Sequence, residues 1–224
     1  MEEIKIIRSK RRSLTLEIKS DASVIVRAPK FASTQFIEKV LTQKRNWIRK
    51  KQEQIRAQLE ANPVKGFTAG EEILFFGTHY RIITVDNLTP TLIFNNHSFL
   101  LNTEHEGSKA KKLFEKWYRD QAVKWITNRV TFLADQFGFK YSSVKINSAK
   151  SRWGSCSIKG SLNFSWRLMM APVEIIDYVI IHELCHLKEH NHSSLFWKLV
   201  QQYCPNYKLY RSQLKNYSKL FQLS

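Results

Sequence analysis

The chain has 224 residues, 43% hydrophobic and 25% charged, enough to bury the core of one compact domain or two small ones without disulfides. Its formal charge of +17 is uneven: residues 1–60 carry 15 Lys and Arg against 7 Asp and Glu, which invites a polyanionic partner such as nucleic acid or nucleotide. The three cysteines fit no disulfide framework, no apolar run approaches the ~20 residues of a membrane span, and Met1-Glu2-Glu3 lacks a signal peptide's basic flank, so a soluble cytoplasmic protein that makes no membrane contact is expected.

From Ile4 to Pro29 apolar residues alternate, as in Leu14, Leu16 and Ile18 and then Val24 and Val26, the two-residue period of a half-buried hairpin. Between Ser33 and Ala61 the period becomes helical, with Phe36, Ile37, Val40, Leu41, Ile48, Ile55 and Leu59, and much of the positive charge lies in Lys44-Arg45-Asn46-Trp47-Ile48-Arg49-Lys50-Lys51. Strand signals return from Ile73 to Leu101, broken at Asp86-Asn87 and Asn95-Asn96. The polar connector Asn102–Gly107 marks the expected boundary between an N-terminal β-rich region with a basic helix, residues 1–105, and a second domain, residues 106–224. A long helix carrying Leu113, Phe114, Trp117, Val123, Trp125, Ile126, Val130 and Leu133 follows and stops at Gly138. Next come two strands, Ser143–Ser157 and Ser161–Met169, with a turn at Lys159-Gly160. Pro172 then suits the first turn of a largely apolar, buried helix reaching about Lys188. The fold class expected is α+β.

On that helix stands His182-Glu183-Leu184-Cys185-His186. Residues four apart lie about 40° apart around a helix and one turn apart along it, so both imidazoles reach one ion. Glu183 flanks the same face, placed to take the proton of an activated water. A charged Glu and two His have no cheap place in a core unless something ligates or neutralises them. A third ligand is needed, and from His190 to Ser224 there is no Asp or Glu at all. Glu189 and His190 climb away from the ion if the helix continues. If the helix ends near His190-Asn191, the chain reverses, His192 swings back and Ser193 caps the next helix. His192 is therefore the expected third ligand and His190 its rival.

These residues also carry a resemblance. The run Lys150-Ser151-Arg152-Trp153-Gly154-Ser155-Cys156, then Ala171-Pro172, His182-Glu183-Leu184-Cys185-His186-Leu187 and Asn191-His192-Ser193 with Phe196-Trp197 resembles the YgjP-like metallopeptidase family. The His182 to His192 spacing and Phe196 are also similar to WLM and SprT-like protease domains. The resemblance implies a zincin-like minimal fold, a hairpin or small sheet beside the His-Glu-x-x-His helix, and a zinc hydrolase.

Lys150 and Arg152 lie on the strand or loop leading toward that helix. Arg152 is the expected donor to negative charge developing on the attacked oxygen; its alternative is a surface arginine packed on Trp153. Cys185 reads as a small packing residue, and Trp117, Trp125, Trp166 and Trp197 as core anchors.

Three functions compete. A metallopeptidase would use zinc, with Glu183 as general base, on a polypeptide substrate added along the edge of the 143–169 hairpin. Its basic N-terminal part could bring it to nucleic acid or nucleic-acid-bound proteins. A nucleotide phosphohydrolase, cleaving a nucleoside triphosphate to release pyrophosphate, would use the cations Lys150, Arg152, Lys159 and Arg167. A nucleic-acid-binding module with a structural metal would ordinarily have four protein ligands and no use for Glu183.

Overall fold

The computed structural model describes residues 4–19, 22–61, 67–105 and 108–217. Among them are five α-helices and three small sheets, a mixed α+β architecture. The chain divides into two compact units, residues 1–64 and 65–224. The boundary expected after residue 105 falls inside the second unit, because the strands from 72 to 102 share one apolar core with the helix that follows them.

In the first unit, β1 (Ile4–Ser9), β2 (Thr15–Ile18) and β3 (Val24–Pro29) form a sheet in the order β1-β3-β2. The expected hairpin is β2–β3; β1 adds parallel to the other side of β3, a pairing that alternation alone does not specify. Helix α1 (Thr34–Ala61) begins where expected, with the Ser33 hydroxyl accepting from the Phe36 N–H at 3.2 Å. Its Ile37 packs with Val26 and Ala28 in a small core of this unit's own.

The second unit opens with β4 (Glu72–Phe75), β5 (Thr78–Val85), β6 (Leu92–Phe94) and β7 (Ser98–Asn102), ordered β4-β5-β7-β6. Helix α2 (Ser108–Phe137) stops as expected at Gly138, where the Phe139 N–H reaches back to the Ala134 carbonyl at 2.9 Å. Phe114, Tyr118, Ala122, Ile126 and Val130 form its fully buried stripe.

The stretch 143–157 is two strands rather than one. β8 (Ser143–Asn147) runs parallel to β10 (Ser161–Ser165), whereas β9 (Gly154–Cys156) is antiparallel to it, giving the order β8-β10-β9. The loop from 148 to 153, which starts with Asn147 Oδ1 accepting from the Ala149 N–H at 2.9 Å, carries the chain from one side of β10 to the other. A short 3₁₀ segment, Trp166–Met170, replaces the end of the second expected strand.

Helix α3 (Val173–Cys185) is buried over most of its surface, including Ile175, Ile176, Ile180, Ile181 and Leu184. Each such side chain contributes about 1.5–3 kcal/mol of apolar burial. Three contacts fix its position. The β4–β5 turn docks on its start: the Phe76 and Gly77 N–H groups donate to the Met169 and Met170 carbonyls at 2.8 and 3.1 Å. Gly77 has φ +77°, and a Cβ there would meet Pro172 Cγ at 2.6 Å, so only glycine suits this turn. Halfway along, Arg129 of α2 makes a bidentate pair with Asp177 at 2.7 and 2.6 Å. Pro172 sits at the N-cap, one residue before the first helical turn, and its carbonyl accepts from the Ile175 and Ile176 N–H groups at 3.0 Å. Helices α4 (Ser194–Tyr203) and α5 (Tyr207–Tyr217) complete the unit and both pack on α3. Among the described residues, no helix is long and apolar enough to cross a membrane.

Candidate active site

Helix α3 ends at Cys185, earlier than expected, because the Leu187 and Lys188 N–H groups close tight turns onto the Leu184 and Cys185 carbonyls at 3.0 and 3.1 Å. The chain then reverses, and Ser193 caps α4 by accepting from the Phe196 N–H at 3.2 Å. The result brings His182, His186 and His192 together, with one ring nitrogen of each lying within 4.8 Å of the others. His190 is exposed and is not part of this cluster.

Burial disfavours the charged form of two of the three rings, and a hydrogen bond orients the third. His186 Nδ1 lies 3.0 Å from the Glu189 carbonyl, to which it can only donate, which leaves Nε2 as the acceptor. The Nε2 atoms of His182 and His192 face each other at 3.0 Å. Two nitrogens on one tetrahedral zinc would be about 3.3 Å apart, given Zn–N bonds of about 2.0–2.1 Å. His182 Nδ1 is buried with no hydrogen-bond partner. Burial, reinforced by His186 and His192, pushes the His182 pKa down to about 3, and burial likewise lowers His192. Burial that disfavours a positive charge on the His182 and His192 rings, with three ring nitrogens converging, suits the cluster to a metal cation.

Two aromatic residues of α4 hold the rings. Phe196, fully buried, stacks on His186 with centroids 4.4 Å apart and meets His182 and His192 edge-on at 4.9 and 4.8 Å. Trp197 stacks on His192 at 5.6 Å and on Tyr207 at 5.4 Å. Trp197 thus supports the cluster, whereas Trp166 is a buried core anchor.

Glu183 is only 6% exposed, and burial pushes its pKa up to about 8 against the opposing charge of Arg152. Its carboxylate lies directly against Gly154 on β9: a Cβ at that position would sit 2.7 Å from Glu183 Cγ and Oε1. The expected zincin-type arrangement, a small sheet beside the His-Glu-x-x-His helix, therefore depends on a strand residue with no side chain.

A cleft of about 510 Å³ opens over His182 and Glu183, walled by Lys150, Trp153 and Gly154 on one side and by Arg211 and Lys215 of α5 on the other. Arg152 is exposed and within electrostatic reach of Glu183, but it does not line the cleft. Arg167 lies elsewhere than expected. It is buried, with its guanidinium 4.2 Å from the centre of the Trp166 ring and donating to the Ser148 carbonyl at 3.3 Å. Lys159 is exposed on the β9–β10 turn, away from the cleft lining. Sequence reasoning missed Arg211 and the role of Gly154. Gly154 lies inside the quoted Trp153-Gly154-Ser155 run, whereas nothing around Arg211 in the sequence distinguishes it from its basic neighbours.

In this mixed α+β unit three histidines, from the end of α3 and the turn after it, converge beside the buried Glu183, a grouping that could hold a metal ion. The chain belongs to the YgjP-like metallopeptidase domain family, whose profile matches residues 12–217. Membership of a metallopeptidase family implies a catalytic metal. Among solved structures the chain is similar to the metallopeptidase zymogen abylysin of Pyrococcus abyssi, at 26% identity over 41% of this chain and 92% of that one, with a TM-score of 0.38. It is also similar to the zymogen jannalysin of Methanocaldococcus jannaschii, at 24% identity over 40% of this chain and 96% of that one, with a TM-score of 0.35. No curated protein matches it.

Proposed function

We propose that this chain is a zinc-dependent metallopeptidase in which His182, His186 and His192 hold the metal and Glu183 is the general base. The observation that carries this reading is the convergence of three imidazole nitrogens beside one buried carboxylate, with no fourth protein ligand in the cluster among the described residues. Zinc, when bound there, supplies Lewis acidity that activates water and polarises a carbonyl. Glu183 takes the proton of the attacking water and returns it to the leaving nitrogen; burial raises its proton affinity toward neutrality, which suits both transfers. Gly154 holds the carboxylate in place by leaving it room. Arg152 biases Glu183 toward its charged, proton-accepting form.

β9 is an edge strand facing α3, so an extended peptide can add to its outer side and lie across the cleft. The three free cysteines agree with a cytoplasmic location. A second reading, hydrolysis of a nucleoside triphosphate, is favoured by one observation: Lys150, Arg211 and Lys215 surround the cleft with positive charge. The test is to incubate zinc-loaded protein with a proteome-derived peptide library and, separately, with nucleoside triphosphates. New peptide termini detected by mass spectrometry, and absent with Glu183→Gln, support the peptidase. Phosphate or pyrophosphate release without any peptide cleavage overturns it.

A further inference from the structure

The cleft is cationic for a reason that can be traced along the chain. The segment 136–173, which supplies the loop and β9 on one wall, contains no Asp or Glu; neither does 190–224, which supplies α4 and α5 on the other. Within those segments Lys150, Arg211 and Lys215 reach the cleft. Of the three acidic residues of α3, Glu174 is exposed in the first turn and does not line the cleft, Asp177 pairs with Arg129, and Glu183 lies against Gly154. Glu183 is the one carboxylate among the described residues that line this cleft, against three cations.

Arg211 is the most strongly placed of the cations. Its guanidinium lies 4.5 Å from the centre of the Trp197 ring, and Trp197 itself stacks with both Tyr207 and His192. A cation–π contact on Trp197 restrains the guanidinium, whose forked N–H groups suit a planar anion. A cation held on the same aromatic stack as a metal-cluster histidine, and lining the same cleft as His182, stands close to where the scissile bond must lie. Beside it, Leu214, Val179 and Trp153 give the cleft an apolar component suited to the stem of a side chain, more than to a polyphosphate that is charged along its length.

Resting on the peptidase reading, we propose that the enzyme selects peptides with an acidic side chain next to the cleaved bond, and that Arg211 is the residue that sets this preference, assisted by Lys215.

The experiment uses full-length, zinc-loaded protein and matched fluorogenic peptides carrying Glu, Gln or Lys beside the scissile bond. Glu peptides should be cleaved with kcat/KM about tenfold above Gln peptides, the size expected for one charge-assisted contact in a partly exposed cleft. Arg211→Glu should reverse the order in favour of Lys peptides, whereas Arg211→Lys should keep a reduced preference for Glu. Zinc content and thermal melting of each variant show whether the Trp197 stack has survived, and Lys215→Glu, which leaves that stack intact, should weaken the preference in the same direction. In parallel, fluorescence anisotropy measures binding of the Glu, Gln and Lys peptides to metal-free protein. The Glu peptide should bind about tenfold tighter than the others, and the difference should shrink with added salt. Equal cleavage of all three peptides, or a Glu preference that survives Arg211→Glu in folded protein, overturns the proposal while leaving the peptidase intact. Hydrolysis of nucleoside triphosphates with neither cleavage nor binding of any peptide overturns both.

Discussion

The most direct structural lever on the chemistry is Gly154→Ala. Gly154 lies in the extended strand β9, where its backbone accepts alanine without a left-handed penalty, so the added methyl acts through space alone. That methyl would stand 2.7 Å from both Cγ and Oε1 of Glu183 and 3.0 Å from Cδ. Carbon contacts settle at about 3.5–4.0 Å, so the glutamate side chain must retreat by roughly 1 Å. A misplacement of about 1 Å at a reacting group costs roughly 100-fold in rate, or about 2.7 kcal/mol of barrier. Overpacking should also remove about 1–3 kcal/mol of stability. The assay is kcat at saturating peptide, read beside zinc content and the thermal melt. The expected result is kcat down about 100-fold with zinc still bound. Wild-type kcat in Gly154→Ala, or loss of activity only because zinc is lost, would refute the inference that this contact positions Glu183.

Further expectations follow from the same geometry. His182→Ala, His186→Ala and His192→Ala should each strip zinc after dialysis, as read by elemental mass spectrometry, whereas His190→Ala should keep about one zinc per chain; the reverse result for His190 and His192 would replace the third ligand. Phe196→Ala should destabilise the fold by about 3–5 kcal/mol in chemical denaturation and loosen metal binding, since the ring is fully buried under all three imidazoles. In the metal-free protein the Glu183 pKa is raised from 4.5 to about 8, so its contribution to stability is complete below about pH 4.5 and is lost as pH rises through 8. Glu183→Gln should therefore leave the metal-free protein no less stable at pH 4.5 and progressively more stable than wild type toward pH 8. Denaturant titrations showing a constant difference across that range would contradict the burial argument.

The local chemistry of the site was legible because it is written in short spacings. His182 and His186 are one helical turn apart, Ser193 has the residue type and position of a cap, and Gly138 stops α2 where the apolar period ends. What escaped depends on residues distant in sequence. Alternation marks 143–157 as extended but carries no sign that β8 and β9 lie on opposite sides of β10. The parallel addition of β1 to β3 is equally invisible, because register between non-adjacent strands is settled by packing. The polar connector at 102–107 resembled a boundary, yet the strands before it bury Phe75, Phe99 and Leu101 in the core formed with α2. Arg167 looked like a member of the cationic site, but its burial against Trp166 is a tertiary fact. Arg211 reaches the cleft only because α5 packs on α3.

Glu183 does chemistry that the three histidines cannot do alone. Glu183→Gln keeps the side chain's size and removes its capacity to accept the proton. The decisive measurement is turnover of a defined peptide by wild type and Glu183→Gln, each with its bound zinc quantified in the same sample. Both proteins should hold about one zinc per chain, and kcat should be lowered by at least about 100-fold in the variant. Equal turnover at equal zinc content would contradict a proton-accepting role for Glu183.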